Sequence, residues 1–203
     1  MKHILFVTLL FIVSCNSDSQ KDNSKATVHD VTWPESTVYQ SKDNTFSIKL
    51  SSDFGKINAH TIDTVETVYG KAIQHQYSSS SEALKLIISR NIYDIEVFKK
   101  QPLDEILESS LNTFLHALSA KKTQSMNTDK TNNGIICKGT RTFYTFTDQN
   151  IVYYGCSEMY CIPPVFYHVC IISTSKDSFA GNSPAGLAFT SFTPNNPDYS
   201  SKN

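Results

Sequence analysis

The 203-residue chain carries little charge, 18% of its residues, and no surplus of either sign: 18 Lys and Arg stand against 19 Asp and Glu, a formal net charge of −1. Nucleic-acid binders need clustered Lys and Arg to displace counterions from phosphates, so nucleic acid is not the expected partner. The N-terminal apolar run, Ile4 to Val13, is ten residues, about half of what a bilayer-spanning helix requires. Also missing are a Cys-x-x-Cys pair, a His-Glu-x-x-His helix, a phosphate loop, a calcium loop and a Gly-x-Ser-x-Gly elbow, the short motifs that carry metal, nucleotide and hydrolase chemistry. No internal repeat is present. What remains is 39% hydrophobic and 11% aromatic, with 45 Ser and Thr. Surface polarity therefore comes from hydroxyls more than from charges, which suits one strand-rich exported domain.

Met-Lys-His, the ten-residue apolar run and Ser14-Cys15 together read as a secretory signal. Its end, Ile12-Val13-Ser14-Cys15, resembles the bacterial lipobox, in which two aliphatic positions and a small residue precede the cysteine that becomes residue one. The resemblance implies that Cys15 is lipidated, its thiol taking a diacylglycerol and its new amino group a further acyl chain such as palmitate. Several chains at about 0.8 kcal/mol per buried methylene hold far more firmly than a single myristoyl. Residues 16 to 25 contain no apolar side chain and cannot offset their ordering entropy, so they read as a tether. Asn16 after the lipidated cysteine resembles lipoproteins passed on to an outer membrane. The expected organisation is a signal peptide over 1–14, a lipidated tether over 15–30, one domain over 31–195 and a disordered tail over 196–203. The expected location is the cell envelope, outer membrane favoured, with a periplasmic or surface face left open.

Within the domain, Phe46, Ile48 and Leu50 alternate with Ser47 and Lys49, a half-buried strand. Further strands are expected at His60 to Tyr69, Lys71 to Tyr77 and Ala83 to Ile92, with Gly70 and Ser78 to Ser81 as turns. Leu103, Ile106, Leu107, Leu111, Phe114, Leu115 and Leu118 form a helical stripe that begins at Pro102, with Asp104 and Glu105 at its positive end. Three apolar segments follow, Ile135 to Thr147, Ile151 to Tyr160 and Val165 to Thr174. Asp148-Gln149-Asn150 and Ile162-Pro163-Pro164 separate them, so they read as a meander with three-residue turns. Ser183-Pro184 caps a short closing helix. The fold class is α+β: a central antiparallel sheet of about seven strands packed against one long amphipathic helix and a short C-terminal helix.

The segment Asp43 to Leu50 (DNTFSIKL), the amphipathic helix after the first strand group and Leu187 to Phe192 (LAFTSF) resemble the PsbP-like family. The resemblance spans most of Val38 to Pro194. It implies a sheet between helices and an accessory or docking role, and it carries no catalytic residue across.

With Cys15 acylated, Cys137, Cys156, Cys161 and Cys170 remain, an even number in an exported chain. If both meander turns have three residues, Cys137 faces Cys161 and Cys156 faces Cys170, at cross-strand distances that suit a disulfide. A rival metal site from Cys156, Cys161, His168 and Cys170 lacks the usual pair spacing and competes with oxidation. No metal, cofactor or catalytic residue is assigned. The aromatics of the meander, Phe143, Tyr144, Phe146, Tyr153, Tyr154, Tyr160, Phe166 and Tyr167, fall on both parities. They form either core or a recognition surface for a protein partner or small ligand. The leading expectation is a non-enzymatic accessory or binding domain held to a membrane by its lipid anchor. The alternative is an envelope hydrolase or carbohydrate-active enzyme whose site gathers His60, His168 and a carboxylate; a weaker one is an immunity lipoprotein.

Overall fold

In the computed structural model, which describes residues 35–132, 135–180 and 182–195, the chain runs β1 (Ser36–Gln40), β2 (Phe46–Ser51), β3 (Ala59–Thr67), β4 (Gly70–Ser80), β5 (Leu84–Ile92), α1 (Glu96–Lys100), α2 (Leu103–Ala117), β6 (Lys121–Asn127), β7 (Lys130–Asn132), β8 (Ile135–Asp148), β9 (Ile151–Ile162), β10 (Val165–Ser173), α3 (Pro184–Ser191) and β11 (Thr193–Pro194). The lipobox and the proposed tether lie outside the described residues. The main antiparallel sheet has eight strands rather than about seven, in the order β3-β4-β5-β10-β9-β8-β6, with β7 also paired to β8. Strand β2 is not part of it: β2 sits between β1 and β11 in a separate three-stranded sheet. Among the described residues three α-helices take the place of the expected two.

Alternation along the strands sends side chains to two faces, and each face has its own cover. On the first face, Tyr160, Ile162, Val165, Tyr167, Val169 and Ile171 pack under Phe46, Ile48 and Leu50 of β2 and under Ala185, Ala188, Phe189 and Phe192 of the C-terminal segment. On the second, Tyr144, Met159, Cys161 and Phe166 receive Ile106, Leu107, Leu111 and Leu115 of α2. The two central strands, buried on both sides, are accordingly apolar almost throughout.

Both meander turns are one residue shorter than expected. Gln149 and Asn150 alone join β8 to β9, at φ 47° and 66°, the left-handed pair that a tight hairpin requires, and Asp148 pairs with Ile151. Pro163-Pro164 alone joins β9 to β10, since Ile162 pairs with Val165. Each slip moves a cysteine to the other side of the sheet. Cys161 faces Lys138 and Phe166, Cys156 faces Phe143 and Ile171, and Cys170 faces Ser157. Cys137 and Cys156 thus belong to the first face, Cys161 and Cys170 to the second. The expected bridges Cys137–Cys161 and Cys156–Cys170 would each have to cross the sheet, and the structure does not make them: all four thiols are free and buried. Same-face partners are no nearer to bonding, about 20 Å and about 13 Å apart along the strands, beyond the ~7 Å reach of a disulfide.

Two glycines lie beneath tyrosines. Gly139 pairs with Tyr160 and Gly155 with Tyr144. A Cβ on Gly139 would fall 2.5 Å from the Tyr160 ring and 2.6 Å from the Thr128 carbonyl oxygen, and one on Gly155 would collide with the Tyr144 ring. The ring laid across the bare backbone restores the packing that a glycine in a strand forfeits.

Candidate functional site

The expected site residues are dispersed. Burial pushes the thiols of Cys137 and Cys161 up to about 12, and it raises those of Cys156 and Cys170 as well. Such thiols stay protonated and are poor nucleophiles. The rival metal set is split, with Cys156 on the face opposite Cys161, His168 and Cys170. Among the described residues, no group of three or more His, Cys, Asp and Glu is placed to hold a metal ion. No described helix is long and apolar enough to cross a membrane.

The meander is not an open aromatic surface. Tyr144, Tyr160, Phe166 and Tyr167 are buried, and Phe143, Phe146, Tyr153 and Tyr154 are half-buried. Phe143, Tyr144, Phe146, Tyr160, Phe166 and Tyr167 pack into the two cores, and Tyr153 stacks on Phe146 at 5.1 Å.

His60 and His168 lie on opposite faces and share no site. His168 sits under α2, its Nε2 3.0 Å from Ser157 Oγ and its ring edge-on to Phe114 at 4.6 Å. Ser157 donates to the Tyr144 hydroxyl at 3.3 Å, and that hydroxyl lies 3.2 Å from Cys170 Sγ. Among the described residues no carboxylate completes the chain. Burial pulls the imidazole down to about 4, so the fold holds it neutral. His168 therefore adds stability above its unfolded value near 6.5, and that contribution is lost as pH falls from 6.5 toward 4. Since the residue retains some solvent contact, the loss expected is about 2–3 kcal/mol. Urea unfolding at pH 7 and pH 4 should show His168→Gln losing about that much less than wild type over the interval; equal losses would remove His168 as the cause.

A different constellation emerges on the first face, toward the β3 edge. The Asp43-Asn44 turn is tied by Ser41, whose Oγ accepts from the Thr45 and Phe46 amides at 2.8 and 3.1 Å, and Asn44 takes φ 55°. This turn directs Asp43 Oδ2 onto Arg90 Nη1 at 3.1 Å. Arg90, almost fully buried in β5, pairs across the ladder with His75 of β4 and Tyr167 of β10. Tyr77, two positions along β4, stacks on His60 of β3 with centroids 4.2 Å apart, and His60 stacks on His75 at 5.6 Å. Three polar atoms of this cluster have no hydrogen-bond partner: Arg90 Nε, His75 Nδ1 and the Tyr77 hydroxyl. Buried polar groups are normally paired, so three orphans in one neighbourhood mark a place that is incomplete. Burial and the Arg90 charge push the His75 imidazole below its ordinary value. Burial and Asp43 push the Tyr77 phenol up to about 12. Burial alone would raise Asp43, but its hydrogen bonds to Thr45 and Ser41 and the Arg90 charge hold it below the usual carboxylate value. At neutral pH the cluster is thus a guanidinium–carboxylate pair beside the Tyr77 phenol and the depressed imidazole of His75. Ile62 and Ile73 flank it on the same face, 58% and 49% exposed.

A second polar group on that face is closed. Glu158, fully buried, accepts from Arg141 Nε at 2.5 Å and from the Tyr160 hydroxyl, with Lys130 Nζ 4.0 Å away. Lys130 donates to the Phe189 and Phe192 carbonyls at the end of α3, at 2.7 and 2.5 Å. Every charge here has a protein partner, so the group is structural.

Neither Arg90 nor Glu158 figured among the expected site residues. The signal available was a charge inside a mostly apolar strand, Arg90 following the run LIIS in LKLIISRNI and Glu158 alone in IVYYGCSEMYCI. A side chain of that kind is buried only with a partner.

No family model matches the chain, and no curated protein matches it. Among solved structures, a Pseudomonas aeruginosa protein of unknown function matches with a TM-score of 0.46 at 13% identity, over 79% of this chain and 98% of its own. The solution structure of cyanobacterial PsbP (CyanoP) from Synechocystis sp. PCC 6803 matches with a TM-score of 0.51 at 9% identity, over 83% of this chain and 98% of that one. At such identity the likeness concerns architecture alone. The chain has a PsbP-like fold, mixed α and β around a mainly antiparallel sheet.

Proposed function

We propose that the protein is a lipid-anchored, non-enzymatic binding domain of a bacterial cell envelope, favouring the outer membrane, in which Cys15 carries the anchor and the Arg90 cluster meets a ligand. The observation that carries the binding role is the set of three unpartnered polar atoms beside solvent-facing Ile62 and Ile73. Recognition sites combine a few convergent polar groups with apolar walls in this way. The lipobox-like Ile12-Val13-Ser14-Cys15 supports the anchor, since several acyl chains bind a bilayer far more tightly than one. Reading the site as recognition rather than chemistry follows from its composition: the cluster has no activated nucleophile, and its one carboxylate is engaged by Arg90.

Fractionation tests the anchor. Wild-type protein is expected in the membrane fraction and Cys15→Ser in the soluble one, a shift of about tenfold or more in partition. An unmodified amino terminus by mass spectrometry, or Cys15→Ser still sedimenting with membranes, would overturn the anchor.

A further inference from the structure

We infer that the Arg90 cluster binds a small carboxylic acid with a short apolar tail, the carboxylate taken by Arg90 Nε, the Tyr77 hydroxyl and His75 Nδ1, and the tail by Ile62 and Ile73. The inference rests on the binding-domain reading above and supplies its ligand class. Arg90 Nε can only donate a hydrogen bond, whereas a phenol and a neutral imidazole are each able to donate one. Arg90 and His75 are cross-strand neighbours, and Tyr77 stands two positions further along β4, so three buried, unpartnered polar atoms lie on neighbouring positions of one face. A group rich in acceptors satisfies all three, and an ionised one forms the stronger bonds.

Charge narrows the choice. Asp43 occupies the Nη1 side of the guanidinium and leaves Nε unpaired. It also cancels the Arg90 charge, and burial holds the His75 imidazole below its ordinary value. A site with no net positive charge repays the desolvation of a singly charged carboxylate more readily than that of a phosphate dianion. Shape narrows it further. Ile62 pairs directly with His75, and Ile73 lies two positions along β4 from His75, so the apolar wall begins beside the head-group donors. Residues two apart on a strand are separated by about 7 Å, which accommodates a chain of a few carbons. The His60–Tyr77 stack closes the opposite side.

Proton NMR of the His60 and His75 ring resonances in the full-length protein provides the test, with isovalerate, acetate, isoamyl alcohol and inorganic phosphate as probes. Isovalerate is expected to shift both rings at a concentration about tenfold below that needed for acetate, consistent with burial of its extra methylenes. Isoamyl alcohol and phosphate are expected to produce no saturable shift. Tyr77→Phe keeps the ring and removes one donor, so it should weaken isovalerate about tenfold or more, the factor expected for one hydrogen bond to a charged group. Ile73→Ser, at an exposed position, should bring isovalerate to the acetate level without disturbing the fold. Overturning results are the absence of a saturable isovalerate shift in the folded protein, equal response to the alcohol or to phosphate, or unchanged isovalerate affinity in folded Tyr77→Phe or Ile73→Ser. Since the titration does not depend on membrane attachment, its failure removes the ligand class alone. A soluble wild-type protein would remove the anchor alone.

Discussion

Glu158→Leu is expected to lower stability by about 3–5 kcal/mol, the cost of stranding a buried charge partner. Two cations depend on this carboxylate. Arg141 bonds it directly, and Lys130 lies 4.0 Å from it while capping the end of α3. Burial pushes the Lys130 ammonium below its ordinary pKa, and the Glu158 charge works against that shift. Without Glu158, both cations face the closed first-face core with no counter-charge. For a domain of this size the melting temperature should fall by about 10 °C. A companion variant decides the cause: Glu158→Leu with Arg141→Met removes the main stranded charge and should recover at least about half of the loss. A single-variant drop of under about 3 °C would show that the buried carboxylate is dispensable.

Phe192→Ala should cost a similar ~3–5 kcal/mol, for a different reason. Phe192 is 1% exposed, and its ring meets Phe46 of the small sheet at 5.7 Å, Tyr160 at 5.7 Å and Tyr167 at 6.0 Å. One side chain thereby joins both sheets at the point where α3 ends. Truncation leaves a cavity that three rigid aromatic neighbours cannot collapse into, which is the costly kind. Phe192→Leu should lose much less, about 1.5 kcal/mol, because most of the volume is retained. Lys130 stacks over the same ring at 5.6 Å and bonds its carbonyl, so Phe192→Ala and Glu158→Leu share a neighbour. Their effects should sum to less than additive values in urea unfolding. A Phe192→Ala cost below about 1.5 kcal/mol would indicate that the two sheets are joined by other contacts.

Legibility in the sequence followed how local the deciding force was. The apolar stripe of α2 and the long strands β8, β9 and β10 could be read because their periodicity is written into neighbouring residues. Strand β6, KKTQSMN, is exposed at every position, so it has no buried face to leave a pattern, and β1 is nearly as wet. The meander could be read but its register could not, because Asp148 and Ile162 look like turn residues and instead form the closing pairs. That single-residue error reversed the face of every cysteine argument. The candidate site was the least legible part. Asp43 and Arg90 are 47 positions apart, and only the folded sheet brings His60, His75 and Tyr77 beside them. Arg90 could be flagged as an anomaly in an apolar strand, but its partners are decided by strand order, which no local pattern specifies.

The two tyrosine-covered glycines have a bearing on how this chain can diverge. A lineage in which position 139 or 155 acquires a side chain must first surrender the ring lying across from it, Tyr160 or Tyr144, since the intermediate with both groups is overfilled. Each pair should be inherited as a linked character, one on either side of the sheet. Because Tyr160 also holds Glu158, drift at position 139 reaches into the charged interior, whereas at position 155 it reaches the hydroxyl chain beneath α2.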